Sequence, residues 1–281
     1  IWAVFALFGP GIKDGALIHH LGETAEILFF LLGAMTIVEI IDKHDGFSII
    51  TDRITTTSKR KLLWIISILT FFMSAVLDNL TTSIVMCALL RKLVGDKNTR
   101  WFFAGMVILA ANAGGAWSPI GDVTTIMLWI KGNITAGNII LETIVPSLVS
   151  LLVPVAIIGM TMKGKLERPE KVESEEISTV TRKQSLIILI MGVGLLLFVP
   201  FFKTITHLPP YLGILFGLGI LWITTEIMHK NNPANYSRLN VTAIIQKVDV
   251  PSVLFFLGIL MAVSCLNEAG HLALLAENLD K

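Results

Sequence analysis

Two stretches of this chain are apolar enough to cross a bilayer yet turn polar at their centres: "SAVLDNLTTS" at 74–83 and "ANAGGAWSPIGDVTTIM" at 111–127. In hydrocarbon every backbone amide and carbonyl must be paired within the protein. Glycine pairs, proline and polar side chains are tolerated there only where the segment is buried in protein or lines a cavity. An ionisable group at mid-span costs about 2.5–3.5 kcal/mol on insertion scales. Capping of a half-helix by Asp122 explains part of this chemistry but not its cost. The two breaks therefore point to a membrane fold built around an internal polar site.

The remaining sequence agrees on the membrane. Of 281 residues 54% are hydrophobic and only 15% charged, with a mean hydropathy of +0.76, against roughly a quarter charged in soluble domains. A net charge of +1 argues against a nucleic-acid surface, which needs a clustered basic excess. Cys87 and Cys265 lie in apolar runs and read as small buried hydrophobes, with no disulfide framework. A spanning helix needs about 20 mostly apolar residues, and runs 24–41, 139–162, 185–202, 211–228 and 252–266 qualify. Two further runs, 62–90 and 101–130, carry the polar breaks. The chain opens already apolar at "IWAVFALF", which reads as the end of a span.

Basic residues predict the sidedness. Loops 42–61, 91–100, 163–184 and 229–250 hold 18 of the 22 lysines and arginines, whereas segments 12–23, 131–138 and 203–210 hold one each, Lys13, Lys131 and Lys203. The positive-inside rule places the rich loops in the cytoplasm. Because two of them flank run 62–90, that run is expected to enter and leave on one side as a re-entrant hairpin tipped by "LDNLTT". A single spanning helix with a polar centre, the alternative, strands one basic loop outside.

The charged segment 163–184 reads as a cytoplasmic linker between a first repeat, 1–162, and the start of a second, 185–281. "LFFLLGAMTIVEIID" (28–42) aligns without a gap on "LFFLGILMAVSCLNE" (254–268), with Met35 on Met261 and Asp42 on Glu268. Chance matches are easy among apolar residues. The charge pattern nevertheless runs the two segments in opposite directions across the bilayer, as in the inverted repeats of secondary transporters.

The polar residues predict a cation site. Gly114-Gly115 and Pro119 are expected to unwind the second break and free carbonyls, to which Asp122, Thr124 and Thr125 add carboxylate and hydroxyl oxygens. The hairpin tip repeats the set with Asp78, Asn79, Thr81 and Thr82. Hard cations such as sodium want such an all-oxygen shell. His19, His20 and Glu26 read either as an external proton relay or pH sensor, or as an interfacial cluster in water. Glu39 is a candidate for the same relay or a snorkelling group. Segment 46–61 has the pattern of an amphipathic surface helix.

"SAVLDNLTTSIVM" followed about thirty residues later by "ANAGGAWSPIGDVTTIM" resembles the NhaD-type sodium/proton antiporters. These belong to the ion transporter superfamily, with the sodium-coupled dicarboxylate carriers. The resemblance covers essentially the whole chain. It implies an all-α polytopic membrane fold of two inverted repeats, each with a re-entrant helical hairpin and a discontinuous helix, usually assembled as a homodimer. Carried over by motif, Asp78, Asn79, Asn112, Asp122, Thr124 and Thr125 become ion-site residues, with sodium at Asp78 and Asp122. The implied function is exchange of sodium, or lithium, for protons in pH homeostasis. The setting is a bacterial inner membrane or an organelle envelope, with no cofactor other than the transported sodium. Elements matching the hairpin and the broken helix are expected after 252–266, and the chain ends at Lys281 before supplying them.

Other readings fit less well. Dicarboxylate carriers have a Ser-Asn-Thr tip, whereas this chain has Asp78-Asn79-Leu80-Thr81; the carboxylate repels a dianion and attracts a cation. Sodium-coupled transport of a dicarboxylate or other anion is the nearest alternative. An intramembrane aspartyl protease pairs Tyr-Asp with Gly-x-Gly-Asp, and the contexts here are Leu77-Asp78 and Pro119-Ile120-Gly121-Asp122. A passive membrane scaffold leaves the matched breaks unexplained.

Overall fold

Caps decide where the helices of this chain begin. Ser58, Asp78, Asp96, Asp122, Thr135, Thr181, Asn240 and Asp249 each accept a hydrogen bond from a backbone amide two or three residues on, satisfying donors a helix start leaves unpaired. The computed structural model describes residues 2–4, 15–166, 180–230 and 239–279. Its helices are α1 (Ala16–Lys43), α2 (Lys59–Leu77), α3 (Asn79–Leu93), α4 (Lys97–Gly115), α5 (Val123–Ile130), α6 (Ala136–Thr161), α7 (Arg182–Thr206), α8 (Pro210–His229), α9 (Val250–Glu268) and α10 (His271–Leu279), with single turns at Ser48–Thr51 and Val241–Ile245. Six of them, α1, α2, α6, α7, α8 and α9, are long and apolar enough to cross a membrane. No strand occurs among the described residues, so the chain is an all-α, multi-pass integral membrane protein. The five uninterrupted runs all form helices, each starting one to eight residues before its apolar run.

α2 and α3 are separated by one residue, Asp78, whose φ of +80° turns the chain sharply. α2 and α4 run parallel: at their starts Lys59 Nζ donates to Thr99 Oγ1 (3.1 Å), and further along Ser74 Oγ donates to Ala111 O (2.6 Å). α3 runs back, because Asn79 at its start bonds Asn112 near the end of α4 and residues 94–96 then join it to the start of α4. Both ends of this hairpin therefore lie at one end of the bundle. Single cysteines at the exposed Thr57 and Lys97, in a background lacking Cys87 and Cys265, are expected to react with an impermeant maleimide from the same membrane face. Reaction from opposite faces would contradict the hairpin.

Contacts between loops and helix ends close the bundle at both of its ends. At one end Arg60 Nη2 donates to Met160 O (3.2 Å) and Leu166 N to Thr57 O (2.7 Å). At the other, Lys131 Nζ lies 3.8 Å from Glu23 Oε2, and the Lys203 ammonium sits 4.5 Å over the Trp129 ring while donating to Trp129 O. Lys13 and most of the expected linker, residues 167–179, lie outside the described residues. α1 and α9 pack antiparallel, with His20 beside Glu268 and Thr24 Oγ1 donating to Met261 Sδ (3.7 Å).

Segment 46–61 departs from its expected surface helix: Ser48–Thr51 is a single helical turn, residues 52–58 are not helical, and Lys59 already opens α2. The run Thr55-Thr56-Thr57 offers the backbone competing partners: Thr56 Oγ1 takes the Ser58 amide (3.3 Å), and Thr57 O takes Leu166 N. Beside it a buried pair joins α1 to α8, His44 Nε2 to His229 Nε2 at 2.9 Å. His44 Nδ1 faces the Ile40 carbonyl at 2.7 Å, so it carries the proton and Nε2 accepts from His229. Burial pushes the His44 imidazole down to about 4, in keeping with that neutral tautomer.

Candidate ion site

The second break begins later than the glycines suggest. α4 stays helical through Gly115, and the non-helical part is 116–122. Gly114 and Gly115 serve close approach instead of unwinding. A Cβ on Gly114 would stand 2.1 Å from Phe71 O, and one on Gly115 2.3 Å from Gly121 O. A Cβ on Gly121 would meet Ser74 O at 2.8 Å. The backbone of α2 thus lies directly on α4, and the break folds back on the helix it leaves. The Ala116 carbonyl released by the break takes Thr143 Oγ1 of α6 (3.2 Å).

The break ends at Asp122, which caps α5. Its Oδ1 accepts from Thr124 N (2.8 Å) and Thr124 Oγ1, and its Oδ2 accepts from Asn79 Nδ2 across the hairpin tip. The same Asn79 amide donates to Asn112 Oδ1 (3.0 Å), and Asn112 Nδ2 donates to Ile108 O (2.9 Å). Asn79, Asn112, Asp122 and Thr124 thus form one hydrogen-bonded set drawn from three helix ends. Asn79, Asp122 and Thr124 border a crevice of about 400 Å³ whose far wall is α1 and α9, with Thr24, Ser264 and Lys131 among its polar lining.

The other predicted residues stand behind this set. Asp78 is buried, and both of its oxygens are engaged by Thr81: Oδ1 by the amide (2.8 Å), Oδ2 by the hydroxyl (2.7 Å). Thr82 Oγ1 is buried without a hydrogen-bond partner among the described residues. Thr125 Oγ1 donates back to Asp122 O (2.9 Å). The two acids are therefore inequivalent. Asp122 faces the crevice, whereas Asp78 lies one residue behind Asn79, whose amide holds Asp122.

His19, Glu26 and Glu39 do not come together. His19 and Glu39 are twenty residues apart on one helix, about 30 Å at 1.5 Å per residue. His19 lies 3.7 Å from Glu23 at one end of α1, and Glu39 pairs with Lys43 (3.5 Å) near the other. Sequence reasoning missed Thr24, Lys131 and the α9 wall. Only Lys131, the lone basic residue of its segment, carried any signal.

Comparison with known proteins gives a consistent assignment. Residues 6–281 match the citrate transporter family CitMHS. Sodium/proton antiporter 1 of Arabidopsis thaliana is 46% identical over the whole chain and 49% of its own length. Sodium/proton antiporter 2 of the same plant is 45% identical over 93% of the chain and 62% of itself. The Na(+)/H(+) antiporter NhaD of Halomonas elongata is 31% identical over 96% of the chain and 58% of itself. The chain thus spans about half to three-fifths of the length of these relatives.

Proposed function

This chain belongs to the CitMHS citrate transporter family, and on that footing we propose that it exchanges sodium, or lithium, for protons through the site at Asp122 and Asp78. The carrying observation is Asp122, a carboxylate at the crevice wall that accepts from the Asn79 side-chain amide and the Thr124 hydroxyl, with Asn112 bonded to Asn79 behind them. Its lone pairs take a proton or a cation but not both at once, which is the elementary requirement of exchange. The family is one of transporters rather than enzymes, and the relatives are named sodium/proton antiporters.

The family's name favours a second reading, citrate uptake, and Lys131 in the crevice lining offers one positive charge for it. Asp122, with Asp78 behind it, argues against a polyanion, because like charges in a water-poor site repel strongly. We take the α2–α3 hairpin to be re-entrant, and α1 and α9 to be matching spans of two inverted repeats, 1–162 and 185–281, that carry the site against a scaffold. The assembly is taken to be a homodimer, with no cofactor beyond the transported ion. In everted vesicles holding the full-length protein, sodium is expected to dissipate a preformed proton gradient, and citrate or succinate is expected to do nothing. Citrate-driven uptake without sodium/proton exchange would replace this reading with the second.

A further inference from the structure

The end of α1 away from the basic loops carries chemistry that ion exchange at Asp122 does not use. His19, His20 and Glu23 each point one ligand atom at a common space, and these three atoms lie within 4.8 Å of one another. Two ligands about 2.1 Å from a tetrahedral ion stand about 3.4 Å apart. His20 Nδ1 is 3.4 Å from Glu23 Oε2, and His19 Nδ1 is 3.7 Å from Glu23 Oε1. The spacing follows from the helix, since residues three and four apart share a face. The two imidazoles meet edge to face, their planes 88° apart, which presents both Nδ1 atoms to the one carboxylate.

Two further observations single out His20. Its Nδ1 is buried and has no hydrogen-bond partner among the described residues, although burying a polar atom is costly when it is left unpaired. Its other nitrogen, Nε2, lies 3.4 Å from Glu268 Oε2 at the end of α9. A ligating histidine typically gives its second ring nitrogen to a carboxylate in this way, which fixes tautomer and orientation. The Trp2 ring packs against His20, its centroid 5.9 Å from the imidazole. The Lys131 ammonium, 3.8 Å from Glu23 Oε2, is the cation a bound metal would displace.

We propose that His19, His20 and Glu23 form a site for a divalent transition metal, zinc by ligand type, with Glu268 as the positioning residue that orients His20. Two imidazoles and a carboxylate are borderline ligands that suit zinc and its first-row neighbours better than sodium or calcium. Three protein ligands leave a fourth position for water. Because Glu268 belongs to α9, an ion there ties the outer ends of α1 and α9 together, whatever ion crosses the membrane.

The test is a titration of the full-length protein, purified in detergent with a histidine-free tag, with Co2+ followed by visible absorption. One saturable site per chain is expected, and Zn2+ should displace the Co2+ from it. His20→Ala and Glu23→Gln should each remove the band; Glu23 is 42% exposed, so its variant keeps the fold. His207→Asn, at an exposed histidine with φ +57°, should leave the band unchanged. Glu268→Gln should keep the band and weaken binding about 10- to 100-fold, as outer partners of ligating histidines do. No saturable band in the unmodified protein, or a band that survives both His20→Ala and Glu23→Gln, would overturn the site.

Discussion

Asp122→Asn is expected to abolish sodium-dependent proton movement in everted vesicles while the protein still inserts. The asparagine keeps an oxygen for the amide of Thr124, and the Asn79 side chain can rotate to offer its oxygen to the new amide donor. Shape and capping at the start of α5 are therefore largely retained. Lost are the titrating group and the full negative charge that faces the crevice. Asp78→Asn should also stop exchange, because it removes the second titrating group and its buried negative charge. Its oxygen can still accept from the Thr81 amide, and its NH2 can donate to the Thr81 hydroxyl, which accepts as well as donates. Expression and melting temperature need to be followed for that variant. Thr124→Ala removes a neutral hydroxyl and no titrating group. It should weaken apparent sodium affinity roughly fivefold, in line with about 1 kcal/mol for one hydrogen bond, and leave turnover partly intact. Wild-type exchange in Asp122→Asn would refute the mechanism, whatever the other two variants do.

Much of this arrangement is legible in one dimension because two strong signals act over short ranges. Apolar runs fix the spans, and the basic residues on both sides of 62–90 indicate a segment whose ends lie together. The structure realises this through the parallel course of α2 and α4. The paired breaks singled out Asp122, Asn79 and Thr124, and the family resemblance singled out Asn112; the structure joins these four in one hydrogen-bonded set. What escaped depends on contacts between distant segments. Gly114 and Gly115 look like helix breakers in the sequence, and their use appears only once Phe71 of α2 is set against them. The one-residue turn at Asp78 needs φ +80° with ψ +157°, a region that glycine occupies almost alone, and an aspartate in the sequence does not announce it. The crevice wall from α1 and α9 arises from antiparallel packing of residues more than two hundred positions apart. No local pattern encodes such a pairing.

The glycine contacts lead to the second large effect, expected of Gly114→Ala. A methyl group there lies 2.1 Å from the Phe71 carbonyl oxygen and 2.7 Å from Phe71 Cα, both backbone atoms that cannot rotate away. Relief requires α2 to move off α4. Overpacking of this kind typically costs about 1–3 kcal/mol, occasionally more, and here the strain falls on a backbone contact. Its consequence reaches the site, because α2 ends at Leu77 and hands directly to Asp78 and Asn79. Separating α2 from α4 also pulls Ser74 from Ala111 O, a bond of 2.6 Å, and displaces the amide that holds Asp122. Gly114→Ala should therefore lower the melting temperature of the full-length protein measurably and remove exchange with it. Gly105→Ala is the control on the same helix. A Cβ there meets nothing within 4 Å, and replacing a helical glycine by alanine gains about 0.5–1 kcal/mol, so that variant should melt no lower than the unmodified protein and exchange normally. Equal melting temperatures and equal exchange rates for the two variants would show that the close approach of α2 to α4 does not hold the hairpin tip in place.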